Sequence, residues 1–421
     1  MNRPALLLTV LALTAPVAIA VAAPASAATP TCAGFPATIV GTDGNDVIHG
    51  TSGKDVIVAK GGNDRVYGLG NRDAICGGPG SDKLFGGPAG DFLFGGIDAL
   101  HRGGGHTTRI GDELTGGPGD DYLQPDADHR AAGRVVPDSI LWNDSAHGVS
   151  VNVIARTATG DGNDLFTEKG AALIGSKHAD TFIGGPGADM ISGNKGGDVI
   201  YGNGGGDTLI GDAATKSASG DGDAITGGGG DDTIVTSFGR DIIGGGGGND
   251  TITDVAGTPD KITGGPGNDT ITTELARSPD STPQTIDGSG GIDLLSLRAN
   301  VVNPNHITST GVWDMATGAI TYTITSPIDV IAKGFEDASL RSKGAKWTID
   351  GTNGDNALGA ASTAATTFNG LDGNDAFRGS PGNDTFDGGP GTDEALTMGP
   401  GNDTCISVET IDVDDCEIVT P

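Results

Sequence analysis

Aliphatic side chains in the first part of this sequence recur at a step that neither an α-helix nor a long amphipathic strand produces. Ile48, Ile57, Val66, Ile75, Leu84 and Leu93 stand nine residues apart, and each follows an acid by two places: Asp46, Asp55, Asp64, Asp73, Asp82 and Asp91. A surface helix carries about three or four apolar positions in two turns, and a half-buried strand alternates apolar and polar side chains over several residues. One aliphatic residue in each such step fits neither. It fits a short strand whose middle side chain points inward, entered and left through tight turns. The unit Gly77-Gly78-Pro79-Gly80-Ser81-Asp82-Lys83-Leu84-Phe85 shows the parts in order: a glycine turn, an acid that closes it, and the strand.

The same step divides the chain. Residues 28–124 form a first repeat block, interrupted after Gly95-Gly96 and resumed at Asp112 and Asp121. The interruption holds His101 and His106; with no third ligand nearby, it reads as a glycine-rich loop rather than a transition-metal site. In residues 125–174 the step lapses and Gly148 to Ile154 alternates, which predicts a β-rich spacer. A second block, 175–272, carries Asp180, Asp189, Asp198, Asp207, Asp223, Asp232, Asp241, Asp250, Asp260 and Asp269. Residues 273–350 keep one degenerate unit with Asp293, and their Trp313, Tyr322, Phe335 and Trp347 suggest a small β unit with a core of its own. The last block, 351–421, holds Asp375, Asp384, Asp393 and Asp403 before an acidic cap. Register that returns after each insertion is what a stacked solenoid tolerates, because each unit touches only its neighbours. The expected fold is all-β: a parallel β-roll, or β-solenoid, of nonapeptide repeats interrupted by irregular β-rich inserts.

Composition adds what holds such a coil together. The chain has 421 residues, of which 76 are Gly, and only 4% are aromatic, so apolar burial alone is a poor source of stability. The 24 Lys and Arg face 55 Asp and Glu, a net charge of −31, which argues against nucleic acid and anionic membrane surfaces and favours cations as partners. Met1 to Ala27 has the form of a secretory signal: Arg3, an apolar run from Ala5 to Val21, and the cleavage pattern Ala25-Ser26-Ala27. Residues 1–27 are therefore expected to be removed, leaving a secreted, extracellular protein with no membrane span. Cys32, Cys76, Cys405 and Cys416 suit an oxidising compartment. Of the three pairings that four cysteines allow, proximity favours Cys32 with Cys76 and Cys405 with Cys416.

The units at Gly77 to Phe85, Gly184 to Ser192, Gly264 to Thr272 and Gly388 to Asp393 resemble the RTX, or haemolysin-type, calcium-binding nonapeptide. The resemblance implies a parallel β-roll with two nonapeptides per turn. It also implies several Ca2+ ions between successive turn loops, held by backbone carbonyls and the aspartate at the sixth position. Carried onto this sequence, that role falls on each aspartate named above, from Asp46 to Asp403. The chemistry agrees, since calcium takes six to eight hard oxygens and glycine lets carbonyls point into a turn at φ values other residues avoid. Several units depart from the pattern. Ala59-Lys60 replaces the first glycines before Asp64, Asn71 the fourth-position glycine before Asp73, Thr236-Ser237 opens the unit of Asp241, and Asn356 stands where an acid belongs. Those sites are expected to be weak or empty.

Other chemistry matches poorly. Gly50-Thr51-Ser52-Gly53-Lys54 imitates the end of a phosphate-binding loop, yet Asp55 occupies the place of the magnesium-binding hydroxyl. Asp161-Gly162-Asn163-Asp164 starts like an EF-hand, but Phe166 stands where glycine is required. No nucleophile elbow or paired-histidine zinc helix occurs, and no enzyme activity is expected. The sequence thus reads as a secreted calcium-binding repeat scaffold whose folding is coupled to extracellular calcium, with a cell-surface or glycan partner. The alternatives are a calcium-dependent polysaccharide-active enzyme or a glycan-binding adhesin.

Overall fold

The computed structural model describes residues 29–96, 101–103, 106–125, 134–166, 171–212, 222–237, 239–255, 260–274, 284–299, 310–314, 319–323, 327–333, 336–342, 346–361, 365–411, 416 and 418–420. The signal-like segment 1–27 and Phe335 lie outside them. Every regular element among the described residues is a strand, and no helix there is long and apolar enough to cross a membrane.

The strands build two long parallel ladders. One, here the first sheet, begins Val47–His49, Arg65–Tyr67, Lys83–Phe85, Glu113–Thr115 and ends at Glu394–Thr397 and Thr410–Ile411. The second begins Ile39–Val40, Val56–Val58, Ala74–Cys76, Phe92–Phe94, Tyr122–Gln124 and ends at Thr404–Ile406 and Ile418–Thr420. Each coil gives one strand to each sheet, so Ile48 pairs with Val66 and Val66 with Leu84, two nonapeptides on. Alternation along a three-residue strand leaves one inward side chain. Those side chains form one buried file from Ile48 and Ile57 to Phe386 and Cys405. The expected parallel roll of nonapeptides is the observed fold.

The two irregular regions are built alike. In each, an antiparallel meander is laid into the second sheet while the first sheet continues unbroken. The meander Ser150–Asn152, Thr157–Thr159, Asn163–Phe166 pairs in parallel through its last strand with Tyr122–Gln124 and through its first with Thr181–Ile183. The meander Thr310–Asp314, Ala319–Thr323, Pro327–Lys333 does the same between Gln284–Gly290 and Lys346–Asp350. The expectation of a separate core in 273–350 fails for this reason. The flanking strands stay in register with the roll, so Trp347, Ile349 and Leu340 join the same buried cluster as Ile48. The segment expected as a histidine loop instead pairs as antiparallel strands, His101–Gly103 against His106–Ile110.

Both ends are pinned. The hairpin Thr31–Cys32 and Phe35–Pro36 lies against the outer face of the second sheet, where Cys32, Val56, Ala74 and Phe92 make a small apolar cluster. The disulfide Cys32–Cys76 ties it down, and Cys405–Cys416 closes the other end, the pairing proximity favoured.

Candidate metal centres along the turns

The turns between the sheets place acids and carbonyls by backbone geometry. Glycine is required at two points of the fullest turn, where φ is 109° at Gly78 and 152° at Gly80. Gly77 is required for space: a Cβ there would lie 2.3 Å from Asp82 Oδ2 and 2.7 Å from the Gly95 carbonyl of the next coil. At Gly227 the corresponding distances are 2.2 Å to Asp232 Oδ2 and 2.4 Å to the Gly245 carbonyl. A carboxylate oxygen and a carbonyl oxygen thus approach the same bare Cα.

Each acid divides its oxygens between two tasks. Oδ1 accepts a hydrogen bond from the backbone N–H of the equivalent aspartate one coil earlier: Asp46 to Asp64 at 2.7 Å, Asp64 to Asp82 at 2.7 Å, Asp232 to Asp250 at 2.8 Å and Asp375 to Asp393 at 2.8 Å. The other oxygen is buried without a hydrogen-bond partner in Asp64, Asp73, Asp82, Asp91, Asp121, Asp198, Asp207, Asp232, Asp250, Asp269, Asp293, Asp375 and Asp393. The ion pairs Lys83–Glu113 and His147–Asp161 lie elsewhere. Such atoms cost free energy unless something charged meets them.

The field reflects that cost. Burial, resisted by the backbone hydrogen bond and reinforced by neighbouring acids, pushes Asp73 up to about 6, Asp82 and Asp121 to about 7, and Asp91 and Asp198 to about 8. A hard divalent cation would reverse the sign of that effect, and the donor set of carboxylate and carbonyl oxygens suits calcium. The residues present fit such an ion.

Not all the expected aspartates stand in this environment. In Asp46, Asp55, Asp180, Asp189 and Asp384, Oδ2 accepts a hydrogen bond from within its own turn. Asp112, Asp223, Asp260 and Asp403 occupy regular ladder positions, their Oδ1 atoms accepting from Asp82, Asp198, Asp241 and Asp384. Beside Asp241 and Asp260 the first-position glycine is replaced by Thr236 and Asp254, whose side chains hydrogen-bond the acids. Burial and mutual repulsion raise the Asp254–Asp260 pair. The departures at Lys60 and Asn71 leave the turn intact: both adopt positive φ, 82° and 73°, and the Asp64 and Asp73 oxygens remain buried.

The ladder also recruits acids that the nine-residue step hides. Asp138 accepts from Asp112 N–H at 2.9 Å, Asp164 from Asp121 at 3.1 Å, Glu336 from Asp293 at 2.9 Å and Glu409 from Asp393 at 2.7 Å. Asp138, Glu336 and Glu409 each precede a strand and Asp164 lies within one; Ile140, Phe166 and Ala338, two places after Asp138, Asp164 and Glu336, are buried, and that local sign could have found these three acids. A second ladder runs at the fifth position, where Asn45 Oδ1 accepts from Asn63 N–H and Asn249 Oδ1 from Asn268 N–H, both at 2.8 Å.

A family model, the RTX calcium-binding nonapeptide repeat, matches residues 40–75, 67–99, 174–213, 217–252, 257–275 and 361–395. The matches fall on the regular stacks and skip both meanders. No curated protein matches the chain.

Proposed function

The chain carries RTX calcium-binding nonapeptide repeats, which bind several calcium ions, and from that premise we propose that it is a secreted, non-catalytic scaffold whose folding is coupled to extracellular calcium. The observation that carries this reading is the file of buried carboxylate oxygens without hydrogen-bond partners. With parallel strands about 4.8 Å apart, neighbouring ionised acids repel by about 3 kcal/mol at an effective dielectric near 20. Cations between the turns turn that repulsion into attraction, so binding and folding become one event. The aspartates with open oxygens, such as Asp64, Asp82, Asp232 and Asp393, supply the side-chain ligands, and turn carbonyls such as those of Gly95 and Gly245 complete the shell.

The disulfides support an oxidising, extracellular setting. The stacks at 28–124, 175–272 and 351–421 serve as the calcium-set frame, and 125–174 and 273–350 offer the surface for a cell-surface or glycan partner. Limited proteolysis tests the coupling: the chain resists cleavage in millimolar calcium and is cut throughout the stacks in chelator. Equal resistance in both would overturn it.

A further inference from the structure

Each stack has two rows of turns, one where the chain passes from the second sheet to the first and one where it returns. Three stacks therefore have six opening turns, those with no regular turn beneath them. In five of the six, position two is Thr or Ser: Thr42, Thr51, Ser176, Thr352 and Ser380. Their N–H groups donate within the turn to the sixth-position side chain, Thr42 to Asp46 Oδ2 at 2.6 Å, Thr51 to Asp55 Oδ2 at 2.6 Å and Ser380 to Asp384 Oδ2 at 2.8 Å. The hydroxyls of Thr42 and Thr51 add a second donor at 2.9 Å. In the sixth opening turn, Gly185 N–H donates to Asp189 Oδ2.

The turns above behave otherwise. Gly78, with positive φ, turns its N–H away from Asp82 to the Gly95 carbonyl of the next coil at 2.9 Å, and Asp82 Oδ2 is left open. Gly78 is bare for a reason: a Cβ there would meet the Lys60 carbonyl of the turn beneath at 1.8 Å. Side chains do occur at position two in the turns next above, at Lys60, Leu69 and Asn203, but those residues hold positive φ. Thr42, Thr51, Ser176, Thr352 and Ser380 do not, and so keep their N–H groups on the sixth-position side chain. A hydroxyl in that place reaches the acid that a cation would otherwise meet.

We propose that the opening turn on each side of every stack is a cation-free cap, in which position two holds the oxygen that calcium holds in the turns above. This rests on the calcium reading of the stacks. An independent feature agrees with it: one of the six opening turns, Gly351 to Asn356, has an uncharged amide at the sixth position. Its Oδ1 accepts from Thr352 N–H at 2.7 Å and its amide donates to the Glu336 carbonyl at 2.9 Å. A neutral amide serves there because no cation needs its charge.

The test is a count of bound calcium per full-length chain, by equilibrium dialysis and elemental analysis. Asp55→Asn and Asp384→Asn keep the wild-type count, Asp82→Asn and Asp232→Asn each lose at least one ion, and Asn356→Asp gains none. Loss of an ion in Asp55→Asn or Asp384→Asn, or a gain in Asn356→Asp, overturns the proposal. Where Asp82→Asn or Asp232→Asn does not fold, the counts for Asp55→Asn, Asp384→Asn and Asn356→Asp decide. A wild-type chain that folds and binds no calcium overturns the calcium reading itself, and this inference with it.

Discussion

At the scale of the residue, the sixth-position aspartate does two jobs with two oxygens, and their environments differ in consequence. Oδ1 sets the register between coils, and the open oxygen sets the dependence on cations and protons. Because burial raises the folded-state pKa of Asp73, Asp82, Asp91 and Asp198 above 3.8, to between about 6 and about 8, protons stabilise the cation-free coil. That contribution is complete below the unfolded value and is lost as pH rises through the folded ones. In calcium-free buffer the β content read by far-UV circular dichroism should therefore rise as pH falls from 8 to 5, and a β content that rises with pH would contradict the assignment. With calcium present the order reverses, since protons compete for the same oxygens, and more calcium is needed at low pH. Backbone strain gives a second prediction. Leu69 holds φ at 81° where the turns at Gly78 and Gly87 use glycine, so Leu69→Gly should stabilise the calcium-bound form by about 1 kcal/mol, read as a higher urea midpoint.

At the scale of the element, the unit is a turn plus a strand, and what was legible in the sequence is what repeats within that unit. The inward file, the parallel pairing and the acids at nine-residue steps follow from one aliphatic side chain and one glycine turn per unit. Asp138, Asp164, Glu336 and Glu409 were not legible from spacing because meanders or altered turns separate them from the previous ladder acid. Position along the coil had replaced distance along the chain. The meanders hid the continuity of the core for the same reason: Trp347 looked like the centre of another unit, yet its strand pairs with Thr366–Asn369 of the roll. The fifth-position asparagines were visible, but only the structure shows them bonding backbone from coil to coil. The opening elements carry their own prediction. The Cys32–Cys76 bond closes a loop across 44 positions, so replacing both cysteines with serine should cost about 4 kcal/mol on the chain-entropy model. A urea midpoint unchanged by the double substitution would show that the N-terminal hairpin contributes nothing to the stability of the first stack.

At the scale of the molecule, the net charge of −31 and the long core shared by the described coils make a nearly one-dimensional structure in which each coil is held by its neighbours and, on the proposed reading, by cations between the turns. Apolar side chains supply one buried residue per strand through much of the roll, and that file is not the part that decides when the molecule folds. On the proposed reading the acids decide it, because at neutral pH their open oxygens are stabilised by cations. Far-UV circular dichroism during a calcium titration of the chelator-treated, disulfide-intact protein at neutral pH tests this most directly. In chelator the spectrum should be that of a largely unordered chain, converting to β structure cooperatively as calcium reaches the millimolar range of weak extracellular sites. A β spectrum already complete in chelator, unchanged by calcium, would contradict it.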